Sequence, residues 1–213
     1  GRQARFRLDA EVVRDVALAS SGLLSAKMGG PGVFPPQPDG CMDLGQHRKT
    51  WKASGGEDRF RRAAYTHRWR NTPHPALKVF DAPAGLAACT RRIRSNTPLQ
   101  ALTLMNDPAF VELALGLAKR LMAEADSSAK RIRLGYRLCL GREPDAEELR
   151  LLTGLVESQH SEFAAQSAEA EAVVATSRSL GQATQPASSN TELAAWTMAA
   201  RVLLNLDETI TRE

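Results

Sequence analysis

Residues 89–107 read CTRRIRSNTPLQALTLMND, a basic extended segment that turns abruptly into an apolar helix. Thr97-Pro98-Leu99-Gln100 carries a helix start: threonine in the N-cap position, proline at the first helical position where its missing N–H costs no bond, and glutamine placed to close a capping box. The helix carries Leu99, Leu102 and Met105 and stops at Asn106-Asp107-Pro108, where aspartate caps and proline opens a second helix. That second helix, over about 108–125, lines up Phe110, Leu113, Ala114, Leu117, Ala118, Leu121 and Met122 as a broad stripe, with Glu112, Lys119, Arg120 and Glu124 on the far side. An apolar helical floor starting at Thr97 sets the fold class as mainly α.

Toward the C-terminus, Ser127 or Ser128 caps a helix over about 129–141 that buries Ile132, Tyr136 and Cys139 and closes at Gly141. Asp145 with Glu148 opens another over 145–165, with Leu149, Leu152, Val156 and Phe163 on one face. Residues 166–190 are low in complexity and read as a flexible linker with one loose helix near 167–177. Asn190 caps a last helix over 191–206, whose Leu193, Trp196, Thr197, Ala200, Leu203 and Leu204 point one way and pack back. Toward the N-terminus, Asp9 caps a helix over 10–24 with Val12, Val16, Ala19 and Leu23 inward and Arg14 and Asp15 outward, ended by Gly29-Gly30. Residues 27–51 are too rich in proline and glycine for a helix, and Val33 and Phe34 look like anchors for an ordered loop. The alternation of Ala64, Thr66 and Arg68 with Tyr65, His67 and Trp69, followed by a turn at 72–75, suggests a short antiparallel strand pair with Leu77–Phe80. The expected architecture is a compact bundle of about five helices, with the Pro/Gly-rich loop and the strand pair on one side. It forms a single unit over 1–213: a basic loop-rich half (1–96), a helical core (97–165), the linker (166–190) and a C-terminal helix (191–213).

The net charge of +4 conceals an asymmetry: residues 1–100 hold 17 basic and 8 acidic side chains, residues 101–213 hold 11 and 16. Nine cations and one acid, Asp81, fall between 59 and 94. Arginine suits bidentate grips on carboxylate, sulfate or phosphate, and an aromatic ring can stack on a sugar or base. Arg61, Arg62, Tyr65, Trp69, Arg91, Arg92, Arg94 and Asn96 are therefore the candidate ligand-binding residues. The alternative is that these arginines pair with the chain's own carboxylates and helix ends, holding the loop-rich half to the helical half. Asp81 is a candidate catalytic residue, although an acid among arginines fits a structural Asp–Arg pair better than proton transfer. Cys41, Cys89 and Cys139 have neither disulfide-framework nor zinc spacing, and His47, His67, His74 and His160 are scattered. No cofactor motif is present: without C-x-x-C-H, haem c would have to sit upstream. No run approaches the ~20 apolar residues that span a bilayer. Because the chain opens on glycine without a signal segment, it is expected to be part of a longer polypeptide.

Phe80-Asp81-Ala82-Pro83, RRIRSNTPLQALTLMND at 91–107 and ELAAWTMAARVLLNLDE at 192–208 together resemble the planctomycete-type C-terminal domain of unknown function 1553. The resemblance extends over RFRLDAEVVRD, GGPGVFPPQP, WKASGGEDRFRRAAYT and GREPDAEEL. It implies an exported or periplasmic protein, upstream domains that often include a c-type cytochrome, and no established catalytic residues. The function expected is a non-catalytic binding or docking module, with the upstream domains of the same polypeptide and an anionic glycan as candidate partners. One alternative is an enzyme domain acting on sulfated or uronic polysaccharide, and another is a nucleic-acid-binding module.

Overall fold

A computed structural model describes residues 5–44, 49–175 and 189–212, and among them the chain is mainly helical. Eight α-helices follow in order: α1 (Ala10–Ser21), α2 (Pro75–Val79), α3 (Pro98–Asn106), α4 (Pro108–Glu124), α5 (Ser128–Leu140), α6 (Ala146–Ala165), α7 (Ser167–Ala175) and α8 (Asn190–Asn205). A two-stranded antiparallel sheet joins β1 (Phe6–Arg7) to β2 (Thr211–Arg212), pairing Phe6 with Arg212 and Arg7 with Thr211. The antiparallel pair thus ties the two ends of the chain together, where sequence alternation had suggested residues 64–69 and 77–80.

The helix boundaries follow local chemistry. Asp107 accepts from the Ala109 N–H, and Asp145 and Glu148 form a complete capping box. The last helix is capped by the Ser189 hydroxyl, which accepts from the Glu192 N–H, one residue before the expected Asn190. Thr97 makes no side-chain cap; Gln100 turns inward instead, its amide donating to the Val79 carbonyl and the Ser95 hydroxyl. α1 ends at Gly22, which takes the left-handed conformation (φ 74°) that glycine adopts without strain, well before Gly29.

Packing is centred on α8, which lies against α4, α6 and α7 while α1 covers the other side of α4. Every residue expected on the buried face of α8, from Leu193 to Leu204, is buried, and Trp196 is among the largest fully enclosed side chains. α5 approaches α8 closely at Gly135, where a Cβ would stand 2.6 Å from a methyl of Leu203. α7 is packed rather than loose, with Ala170 and Val174 buried. The rest of the expected linker, 176–188, lies outside the described residues.

α1 is rotated from its expected setting. Its inner face is Ala10, Val13, Arg14, Ala17 and Leu18, while Val12 is 40% exposed. The reason lies on α4, whose Glu112, expected to face water, is 2% exposed. Glu112 accepts from Arg59 at 2.7 Å, and the Arg59 carbonyl accepts from Arg14 at 3.0 Å. Two cations and a carboxylate thus meet between α1, α4 and the 3-10 turn at Gly56–Phe60.

Over these helices lies a layer built from residues 23–44 and 49–74. Among the described residues it holds no extended ladder: single parallel bridges join Ser25 to Arg61 and Val33 to Thr66. Val33 donates to the Tyr65 carbonyl and accepts from the His67 N–H. Pro35 and Pro36 have no N–H to donate, so the pairing cannot extend past Phe34. Residues 77–79, read as the start of a strand over Leu77–Phe80, instead lie in α2, which opens at Pro75.

Candidate ligand-binding cleft

The residues proposed from sequence do not converge on one opening. Arg61 is buried, donates to the carbonyls of Pro31, Lys27 and Gly29, and stacks on Tyr65 with its guanidinium 3.8 Å from the ring centroid. The Tyr65 hydroxyl accepts from the Gly29 N–H. Arg62 pairs with Asp15 at 3.0 Å. Arg92 pairs with Glu11 at 2.6 Å and Arg94 with Asp9 at 3.2 Å, both on the first turn of α1. Arg91 and Asn96 are exposed. The expected Asp81–Arg pair is absent: the Asp81 carboxylate accepts from both the N–H and hydroxyl of Ser95, at 2.7 Å each, in a left-handed turn (φ 61°). Most of the arginine cluster is therefore a set of internal clamps. Among the described residues, no group of three or more histidine, cysteine or acidic side chains is placed to hold a metal; His47 lies outside them.

The open site lies elsewhere, in a cleft of about 540 Å³ walled by residues 36–43, 49–51 and 53. Trp51 forms its aromatic wall, flanked by Asp39, Asp43, Lys49 and Thr50. The indole is fixed: its N–H donates to the Pro35 carbonyl at 2.7 Å, Phe34 meets it edge-on at 5.1 Å, and His74 lies behind it at 5.5 Å. The ring series continues from Phe34 to His67 at 4.8 Å and on to Trp69 at 4.6 Å, with the Lys49 ammonium 5.0 Å from the Trp69 ring centre. Several buried polar atoms in and behind this wall have no protein partner, among them Gln37 Oε1, His67 Nε2 and Trp69 Nε1. Such atoms are rare in protein interiors, and those in this layer can form hydrogen bonds with solvent or ligand.

Behind the cleft the electrostatics are unusual. His74 is buried, its Nε2 against the Pro36 carbonyl at 2.9 Å. Desolvation, aided by Arg14, pushes it down to about 4. Burial pushes Asp107 up to about 6, against the opposing pull of the Ala109 N–H and Arg14. Burial, with the negative charges of Asp107 and Asp39, holds the Cys41 thiol above its usual range, which disfavours the thiolate that a nucleophile needs. Sequence reasoning placed Asp107 only as a cap and Arg14 only in water, and neither position carries a local signal of burial. Trp51 and its neighbours did carry one, the length of the Pro/Gly-rich loop.

The sequence profile described as PSD1, a protein of unknown function (DUF1553), matches residues 1–156. The chain belongs to the DUF1553 family. No curated protein and no solved structure matches it. The cleft and its supporting clamps all fall inside the DUF1553 match. The match ends within α6, yet α8 beyond it supplies Trp196, Leu203 and Leu204 to the core. The C-terminal segment thus closes the floor on which the DUF1553 layer rests.

Proposed function

We propose that this DUF1553 chain is a non-catalytic binding module whose cleft at Trp51, between residues 36–43 and 49–53, takes a neutral carbohydrate. The observation that carries this reading is a rigidly held indole in an open cleft surrounded by hydrogen-bonding side chains. Sugars present an apolar C–H face to an aromatic ring and hydroxyls to the polar groups beside it, and cleft sites of this size combine the same two features. The arginines that suggested an anionic glycan, Arg61, Arg62, Arg91, Arg92 and Arg94, do not line this cleft, which leaves an anionic glycan without the grip expected of them. The motif resemblance supports placing the module in a larger exported polypeptide with cytochrome-bearing neighbours.

The test is titration of the 213-residue chain with neutral, uronic and sulfated oligosaccharides, followed by tryptophan fluorescence and calorimetry. Neutral oligosaccharides should bind, and Trp51→Ala should weaken binding by about tenfold or more. Preferential binding of sulfated chains that survives Trp51→Ala would overturn the reading. Release of reducing ends, lost in Asp39→Asn or Asp43→Asn, would instead favour a hydrolase, a reading that draws on the two carboxylates lining one cleft.

A further inference from the structure

Between Asp81 and Asp107 the chain contains no acidic residue at all. Both bounding carboxylates are turned inward, Asp81 onto Ser95 and Asp107 onto the start of α4. Within this span residues 84–90, AGLAACT, are exposed throughout and carry no charge. Arg92 and Arg94 are drawn to the first turn of α1, and Ile93 between them is 76% exposed. α3 buries Leu104 together with the polar Gln100, while Leu99 and Leu102, one turn apart on the opposite side, are each 57% exposed. It holds no charged residue. Leu86, at 69%, completes a set of four large aliphatic side chains projecting into solvent over 17 residues.

The cations of this region divide into two kinds. Arg92 and Arg94 are matched by Glu11 and Asp9, whereas Arg91, and Lys78 on α2, which packs against α3, are exposed and make no ion pair among the described residues. Leu86, Ile93, Leu99 and Leu102 lie outside the cleft at Trp51. Projecting aliphatics beside unmatched cations, with the neighbouring carboxylates of Asp9 and Glu11 neutralised by Arg94 and Arg92, suit a deformable surface that is apolar beneath and negatively charged on top.

We propose that the face formed by residues 84–93 and the outer side of α3 rests on a lipid bilayer bearing anionic headgroups. Leu86, Ile93, Leu99 and Leu102 enter the boundary between headgroups and acyl chains, and Arg91 and Lys78 meet the lipid phosphates. The association is peripheral, since no single helix among the described residues is long and apolar enough to cross a membrane. α4, which follows α3 directly, remains in the protein core.

The test is co-sedimentation of the 213-residue chain with vesicles of phosphatidylcholine alone or of phosphatidylcholine with phosphatidylglycerol. Binding should require phosphatidylglycerol and fall as salt rises. Replacing Ile93, Leu99 and Leu102 together by serine should weaken it on the order of a hundredfold. Arg91→Ser should weaken it about fivefold, the loss expected for one cation at an anionic surface. Circular dichroism and thermal unfolding verify that the variants remain folded, as expected for exposed positions. No sedimentation with either vesicle, equal sedimentation with both, or undiminished binding by the serine variant would overturn the proposal. Lipid-independent dimerisation abolished by the same serine substitutions would overturn it in favour of a second copy of the chain.

Discussion

The helical floor and the layer laid over it are held together by different forces. Between α4 and α8 the adhesive is burial of apolar side chains, with Leu113, Leu117, Leu121, Trp196, Leu203 and Leu204 all almost inaccessible. Between residues 25 and 74 apolar anchors are few, and cations and rings take their place: Arg61 gathers three carbonyls, Arg59 reaches Glu112, and a file of rings in mostly edge-on or tilted contact runs from Trp69 to His74. Apolar packing gives up much of its free energy when one large side chain is removed, and the loss spreads over the whole cooperative unit. A clamp made of directional bonds fails locally. A binding surface built the second way keeps polar atoms available at its rim while standing on a base that does not move.

Substitutions should separate the two regimes. Trp196→Ala should have the largest effect, about 4 kcal/mol, with both regions unfolding at one lowered denaturant midpoint. Glu112→Gln removes the charge that compensates Arg59 and Arg14 at the junction and should cost about 3 kcal/mol by the same assay. Arg61→Met should cost about 2 kcal/mol, since buried carbonyls lose charged donors, and the damage should be confined to the overlying layer.

A smaller effect concerns pH. His74, held near 4 in the folded chain against an ordinary value near 6.5, contributes stability above 6.5 that is lost as pH falls toward 4. Asp107, raised to about 6 from an ordinary 3.8, does the opposite: its contribution is complete below 3.8 and lost as pH rises through 6. Between pH 7 and 5 the two slopes oppose each other, and unfolding free energy should change little. Asp107→Asn, which keeps an acceptor for the Ala109 N–H, leaves the His74 slope exposed and should lose about 1 kcal/mol over that interval relative to the parent.

The same contrast governs what could be read in advance. The floor announces itself locally, because Pro98, Pro108 and the Asp145–Glu148 pair start helices and the apolar stripes recur at helical spacing. The overlying layer depends on partners far along the chain. Arg14 and Glu112 look like ordinary solvent-facing charges until Arg59 is brought between them, 45 and 53 residues away in sequence. The alternation at 64–69 was real but misleading, since it records rings and bridges meeting an extended segment whose prolines prevent a ladder. Pro75 was an overlooked helix start. The arginine cluster was legible as a cluster, while its inward use followed from carboxylates on α1 and α4 that only folding brings near. The cleft at Trp51 left one trace, a loop too long and too rich in proline to be a simple connection.

Amide hydrogen exchange tests the clamp most directly. The N–H groups of Ser25, Val33 and His67 donate to Phe60, Tyr65 and Val33 respectively, and each bond crosses the layer that Arg61 holds. In the parent chain all three should exchange slowly, and in Arg61→Met they should exchange quickly while amides in α4 and α8 stay protected. Free-peptide exchange at these sites in the parent, or unchanged protection in the variant, would contradict a layer held by its buried cations.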